Sequence, residues 1–181
     1  MKRCFIFCVL VTTAIYSVNA QLAVTKLVGK NADKYKLGCG LFTFYDFPIN
    51  SSENQSIRLE LMDLAFYPGK DGNFFTASYG RAYISIKAGY KYIFSETKTG
   101  FYIEPSAGWG RVVDVLPDQD DPVYGDGIAL AMEAGYSLEV GQRGHVINLG
   151  LKYENDRGGP VLSSVGLRLS YAFNMFRKRA Y

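Results

Sequence analysis

Few residues in this chain of 181 have the types and spacing that catalysis needs. His145 is the only histidine, and a dyad with Ser137 or Glu139 is conceivable from their positions. A nucleophilic serine needs a histidine or similar base, and no second histidine can supply one elsewhere. His145 follows a short turn and shares the parity of Ile147, which favours an interfacial turn histidine. We therefore predict no catalytic residues and no enzymatic activity.

Carboxylates offer a second kind of chemistry. Glu104 and Glu133 could form an acid/base pair of the glycosidase type, which needs two carboxyl groups at a defined separation. Lysines and arginines of the same strand parity surround them in the sequence, so ion pairing is the preferred interpretation.

A cluster of acids could bind a cation. The segment 114–126 carries five aspartates, and hard cations such as calcium prefer oxygen ligands. Their spacing does not fit the EF-hand loop, which favours a solvated acidic loop and leaves cation binding open. The glycine pairs never extend to GxGxxG before a helix, so no dinucleotide site is expected. We predict no metal and no cofactor.

The first twenty residues have the features of a signal peptide. Lys2 and Arg3 precede an apolar stretch from Phe5 to Tyr16, and Val18-Asn19-Ala20 is a plausible cleavage site. We therefore divide the chain into a signal peptide, 1–20, and one domain, 21–181. Loss of the two leader cations lowers the net charge from +3 to +1, which gives no electrostatic footprint for nucleic acid.

The mature chain alternates between apolar and polar residues almost throughout. Within 81–94, one parity is apolar and ends in three aromatics, whereas the other is polar, small or charged. This period of two is typical of β-strands. The same pattern predicts strands at 35–47, 56–67, 81–94, 100–113, 126–140, 145–155 and 161–175. The phase breaks at Met62-Asp63, which indicates a possible bulge.

Connection lengths indicate how these strands are joined. Short turns alternate with longer links, as in membrane barrels with short periplasmic turns and long extracellular loops. An even strand number requires one more strand, and only the short, poorly patterned segment Leu22 to Gly29 is available for it. The fold prediction is all-β: an eight-stranded antiparallel up-and-down transmembrane β-barrel after a cleaved signal peptide.

The polar parity describes the interior of such a barrel. It mixes small residues with a near balance of acids and bases, as a narrow lumen of paired ions requires. We predict that Lys87 or Lys91 faces Glu104 across one hairpin. The full predicted lumen charge network is Lys87, Lys91, Glu104, Glu133 and Arg168.

The last strand resembles that of a known family. Its pattern Leu167-x-Leu169-x-Tyr171-x-Phe173 is similar to the signal of small outer-membrane β-barrel proteins of Gram-negative bacteria. The chain looks most like the outer-membrane β-barrel domain group common in Bacteroidetes. The resemblance implies residence in the outer membrane, contact with its lipid, and recognition by the barrel assembly machinery. Aromatics at strand ends are then expected at the membrane interfaces: Tyr90, Tyr92, Phe94, Trp109, Tyr136, Tyr171 and Phe173.

Three functions remain compatible with the sequence. The leading one is an integral outer-membrane protein with a structural, adhesive or envelope-maintaining role and a closed, ion-paired lumen. The second is a small pore or a carrier for a hydrophobic ligand. The third is a secreted soluble β-barrel that binds a ligand, in which the inner and outer faces are exchanged. No small-molecule substrate is identified.

Overall fold

Eight antiparallel strands close into one barrel in the computed structural model of the chain. The structure describes residues 19–30, 32–71, 79–115, 121–141, 145–157 and 162–172. Each strand pairs with its neighbours in sequence, and the first also pairs with the last, so the sheet has no free edge. The strands are β1 (Asn19–Leu27), β2 (Gly38–Pro48), β3 (Gln55–Pro68), β4 (Gly80–Ile93), β5 (Gly100–Val115), β6 (Val123–Val140), β7 (His145–Asp156) and β8 (Leu162–Ala172).

The predicted fold class is confirmed, with shifts at strand ends. The weakly patterned first segment is a strand, but β1 runs from Asn19 to Leu27 rather than from Leu22 to Gly29. The second strand begins at Gly38, because Tyr35 forms only an isolated bridge with Gly69. The sequence also placed Phe94 in β4, whereas the strand ends at Ile93. Phe173 and the residues after it lie outside the described part of the chain.

Alternation along the strands separates an apolar exterior from a charged interior. Residues predicted for the outer face, such as Ile86, Leu149 and Leu167, each expose more than half of their surface. The interior instead buries six basic and seven acidic side chains among the described residues. In the described segments, no helix is long and apolar enough to cross a bilayer.

A bulge in β3 interrupts this alternation. The register of β3 shifts against β2 between Thr43 and Phe44, and against β4 between Glu60 and Asp63. The extra residue returns Asp63 to the inner face, so Glu60 and Asp63 are both buried although they are three residues apart. The phase break at Met62-Asp63 therefore marks a real irregularity, and it adds a carboxylate to the lumen.

The two ends of the barrel differ in their connections. Short turns join β2 to β3, β4 to β5, and β6 to β7, and we call this the turn end. At the opposite end, the loop end, the links after β1, β3 and β5 are longer, whereas the link from β7 to β8 is as short as the turns. A 3-10 helix, η1 (Ala32–Lys34), follows β1 there. Leu27, Tyr35 and Leu162 are buried there together, which closes the loop end with an apolar layer.

Candidate functional site: the charged lumen

The centre of the lumen holds six charged side chains in mutual contact. We call them the central cluster: Glu60, Asp63, Lys87, Lys152, Glu154 and Arg168. These six residues come from four of the eight strands, namely β3, β4, β7 and β8. Three carboxylates and three cations share the space, which leaves the cluster formally neutral.

Lys87 lies at the centre of this cluster. Its Nζ is 2.5 Å from Glu154 Oε1, 3.0 Å from Glu60 Oε1 and 3.1 Å from Asp63 Oδ2. Its side chain has no exposed surface. Its three ammonium protons are donated to Asp63, Glu154 and the hydroxyl of Ser85, while Glu60 adds a third carboxylate at ion-pair distance. Burial of this charge is tolerable only because it is fully compensated.

Lys152 and Arg168 complete the neutralisation. Lys152 Nζ lies 2.5 Å from Asp63 Oδ2 and 2.9 Å from Glu154 Oε2. Arg168 Nη1 bridges two acids, at 2.9 Å from Glu60 Oε2 and 3.0 Å from Glu133 Oε2. Glu133 also accepts a hydrogen bond from the buried hydroxyl of Tyr102 at 2.5 Å.

Arg58 dominates the lumen toward the turn end. Its guanidinium donates two hydrogen bonds to Asp46, from Nε at 2.6 Å and from Nη2 at 2.7 Å. Its Nη1 lies 2.8 Å from Glu104 Oε2, a charge contact that lacks hydrogen-bond alignment. The Phe44 ring lies beneath the guanidinium, 3.6 Å from centroid to Cζ. The planar arginine thus uses its edge for a carboxylate and its face for an aromatic ring.

Lys91 has different partners from Lys87. Its Nζ donates to Asn148 Oδ1 at 2.7 Å and to Ser137 Oγ at 3.1 Å. It also lies 4.3 Å from the centroid of the Tyr102 ring. Among the described residues, these neutral groups are its hydrogen-bond partners, and no carboxylate lies within ion-pair distance.

The loop end of the lumen is closed by a third set of polar contacts. Arg81 forms a salt bridge with Asp114, and Tyr35 Oη donates a hydrogen bond of 2.5 Å to the same carboxylate. Tyr35 lies in the connection between β1 and β2, outside the strands. Burial and the hydrogen bond to Asp114 both raise the pKa of Tyr35, so its hydroxyl stays protonated at neutral pH.

Glycines make room for these side chains in a narrow lumen. A Cβ atom at Gly150 would overlap the carboxylate of Glu133 and the hydroxyl of Tyr102. A Cβ atom at Gly110 would overlap the carboxylate of Asp156 and the ring of Tyr83. The inner face therefore needs small residues opposite large ones. The internal cavity beside the central cluster measures only about 20 Å³, which is room for about one water molecule.

All five residues of the predicted charge network are buried in the lumen. The structure brings Arg168 and Glu133 into contact. The register of β4 against β5 places Lys91 opposite Glu104, as predicted, but these two side chains do not form an ion pair. Lys87 lies opposite Gly108 in the ladder, several residues away from Glu104, and reaches the acids of β3 and β7. Glu104 contacts Arg58 instead.

Sequence reasoning left several partners out of the network. Asp63 was missed because strict alternation places it outside, and only the bulge brings it in. Lys152 and Glu154 share the inner parity of β7, a signal that was present but was not connected to Lys87. Tyr35 and Asp114 lie at or beyond the strand ends, where alternation carries no information.

The predicted interfacial aromatics cluster near the ends of strands. At the turn end, the Phe94 ring lies 4.9 Å from that of Tyr92 and 5.7 Å from that of Phe101. Phe101 is paired with Tyr136 across the next ladder. Tyr90, Phe94, Trp109 and Tyr136 are exposed, Tyr92 and Tyr171 are half-buried, and Phe173 lies outside the described residues. Their depth in a membrane stays a prediction.

The structure does not assemble the dyad of His145 with Ser137. Its ring lies 5.6 Å from that of Tyr171, at the start of β7. Ser137 is buried inside the lumen and bonds to Lys91 and Asn148. Of the acidic segment 114–126, Asp118 and Asp120 lie outside the described residues. Within the described residues, no group of acids, histidines and cysteines could hold a metal ion.

Comparison with solved structures identifies the architecture. Ail, the attachment invasion locus protein of Yersinia pestis, is 16% identical over 86% of this chain and 94% of its own, with a TM-score of 0.52. Ail in complex with the heparin analogue sucrose octasulfate gives 14% identity, the same coverage and a TM-score of 0.53. The fold is that of a small outer-membrane β-barrel. The apolar exterior and the closed sheet agree with a barrel that spans a membrane.

Two further structures have lower scores. The N-terminal barrel domain of Pseudomonas aeruginosa OprF is 12% identical over 85% of this chain and 96% of its own, with a TM-score of 0.49. The outer-membrane enzyme PagL is 12% identical over 84% and 97%, with a TM-score of 0.48. No family model matches the chain, and no curated protein does.

The PagL comparison corrects one expectation. The sequence analysis predicted a protein without enzymatic activity, yet a similar structure is an outer-membrane enzyme. Membership of this fold therefore does not exclude catalysis, and the prediction is withdrawn. At 12% identity, the likeness concerns the fold and assigns no reaction to this chain.

Proposed function

We propose that this chain is a closed, non-conducting outer-membrane barrel with a structural, adhesive or envelope-maintaining role. The observation that carries the proposal is the central cluster, which fills the middle of the lumen with three compensated cation–carboxylate sets. A hydrated ion would have to displace these contacts to pass, because the internal space beside them is that of a single water.

The charged lumen and the apolar exterior argue against two of the alternative functions. A carrier for a hydrophobic ligand needs an apolar cavity, whereas the lumen buries thirteen charged side chains among the described residues. A soluble barrel would leave the apolar exterior in water, with residues such as Leu149, Leu151 and Leu167 more than half exposed. A small pore remains the alternative that the experiment must test.

Planar-bilayer recording of the purified protein tests the closed lumen. We expect no large, stable channels from the unmutated barrel. The variant Lys87→Met removes the central cation, leaves three acids crowded together, and should produce intermittent leak currents. The matched variant Lys26→Met removes a lysine from the outer face and should behave like the unmutated protein. Large, stable channels in the unmutated protein would overturn the closed-lumen proposal in favour of the pore.

The adhesive half of the proposal draws on the loop end. Ail is named as an attachment invasion protein, and a closed barrel can serve in the same way as an anchor for exposed loops. Cells that display this chain should bind to a surface that control cells do not bind. Exchange of the loop-end connections, with the barrel retained, should abolish that binding.

We further propose that the chain is a Bacteroidetes-type barrel assembled by the barrel assembly machinery and surrounded by outer-membrane lipid. The outward pattern Leu167, Leu169 and Tyr171 of β8 supports recognition by that machinery. Replacement of Tyr171 and Phe173 by serine should reduce the amount of assembled, heat-modifiable protein in membranes. Unchanged assembly would contradict this part of the proposal.

A further inference from the structure

Five lysines are exposed where the first three strands reach the loop end. We call them the basic ledge: Lys26, Lys30, Lys34, Lys36 and Lys70. The connections 28–37 and 69–79 contain only two acids, Asp33 and Asp71. The acidic segment 114–126 belongs to a different connection, between β5 and β6. Charge at the loop end is therefore divided into a basic arc and an acidic arc.

Most cations elsewhere in the barrel are neutralised. Arg81, Lys87 and Arg168 contact carboxylates inside, and Arg111 contacts Asp126 at 2.5 Å on the outer surface. By contrast, Lys26, Lys30, Lys34 and Lys70 form no ion pair with any residue that the structure describes. Four uncompensated ammonium groups on one arc attract anions.

Backbone contacts hold part of the ledge in a fixed arrangement. The Lys34 carbonyl accepts hydrogen bonds from Lys70 N at 3.2 Å and from Tyr79 Oη at 3.0 Å. Lys36 N donates to Pro68 O at 2.9 Å. These contacts join the first loop-end connection to the second, so the lysines are positioned before any ligand arrives. Such preorganisation lowers the entropy cost of binding.

Apolar side chains lie among these lysines. Lys26 follows Leu22 and Val24 on the outer face of β1, and both are exposed. Val28 and Leu37, in the adjoining connection, are exposed as well. Lysine stems can lie along such a surface while their ammonium groups reach polar headgroups. A soluble polyanion would make no use of exposed Leu37, whereas a membrane lipid would contact both kinds of group.

We propose that the basic ledge binds the phosphate groups of a phosphorylated glycolipid in the outer leaflet. The apolar residues of the ledge contact the acyl region, and the lysines contact the phosphates. On the opposite arc, Arg111 is already occupied by Asp126, so bound lipid is confined to one side of the barrel. The inference requires the outer-membrane location and does not depend on a closed lumen.

Native mass spectrometry of the detergent-solubilised protein tests this site. The protein is titrated with bisphosphorylated lipid A and, separately, with dephosphorylated lipid A of the same acyl composition. We expect tighter retention of the phosphorylated lipid. The combined variant Lys26→Gln, Lys34→Gln, Lys70→Gln should weaken that binding by about five-fold per lysine, or roughly a hundred-fold in all.

Controls separate the site from general charge effects. Lys98→Gln removes a cation at the turn end and should retain the affinity of the unmutated protein. Heat-modifiable migration checks that the triple variant still forms a barrel, which is expected because its side chains are exposed. Equal retention of the two lipids, or unchanged binding by the triple variant, would overturn the proposal. So would a soluble sulfated oligosaccharide that binds the ledge as tightly as the phosphorylated lipid does.

Discussion

Lys87 and Lys91 lie four residues apart on the same face of β4, yet their surroundings differ. Lys87 is in contact with three carboxylates, whereas Lys91 donates to the neutral oxygens of Asn148 and Ser137. Both are buried to nearly the same degree. Two lysines with the same inward parity in one strand can thus affect stability in opposite ways. Lys87 neutralises three neighbouring carboxylates, whereas Lys91 is a buried charge without an ion-pair partner among the described residues.

Lys87→Met should cause the largest loss of stability. The substitution leaves Glu60, Asp63 and Glu154 crowded around an apolar side chain, with only Lys152 and Arg168 to compensate them. Removal of one partner from a buried charge network costs about 3–5 kcal/mol. The free energy of unfolding in lipid vesicles, followed through Trp109 fluorescence in a urea titration, measures this loss. A loss below that of an exposed-residue variant would show that the central cluster contributes nothing to stability.

Gly150→Ala should cost less, by about 1–3 kcal/mol. The added methyl group would push against Glu133 and Tyr102, which link the central cluster to the region around Lys91. The same urea titration detects the effect. Gly141→Ala is a poor control because its positive φ would add backbone strain, so Ala107→Gly on the outer face is preferable. Equal stability for Gly150→Ala and the unmutated protein would mean that the lumen is less crowded than described.

Glu104→Gln should cost about 1–3 kcal/mol. Arg58 loses one charge contact but keeps its two hydrogen bonds to Asp46. The exposed loop acid Asp121 provides the control, because Asp121→Asn should change stability by no more than about 0.5 kcal/mol. If both variants unfold at the same urea concentration, Glu104 is not part of a stabilising network.

Lys91→Met should have the smallest effect of the lumen substitutions, below about 1.5 kcal/mol. Ser137 keeps its hydrogen bond of 2.6 Å to Asn148, and a buried charge without an ion-pair partner is removed. The decisive quantity is the difference in the free energy of unfolding between Lys91→Met and Lys87→Met, measured in the same urea titration. If the two variants are equally destabilised, the ion pairs of Lys87 contribute no more to stability than the neutral hydrogen bonds of Lys91.

The sequence predicted the fold and the inner face well, but not the pairing of charges. Alternation depends on local geometry, so it placed Lys87, Glu133 and Arg168 inside correctly. Contacts across the lumen depend on the stagger between strands, which no single strand encodes. One extra residue in β3 then brought Asp63 inside, although simple parity placed it outside.

Closure of the barrel has a consequence for how it forms. Seven of the eight ladders join strands that are adjacent in the chain, whereas the ladder of β1 with β8 joins Val24 to Leu167. Contacts between distant residues carry the largest loop-closure cost and slow folding. We therefore expect this ladder to form last, as a rate-limiting step in which an open, curved sheet of hairpins waits for its two ends to meet.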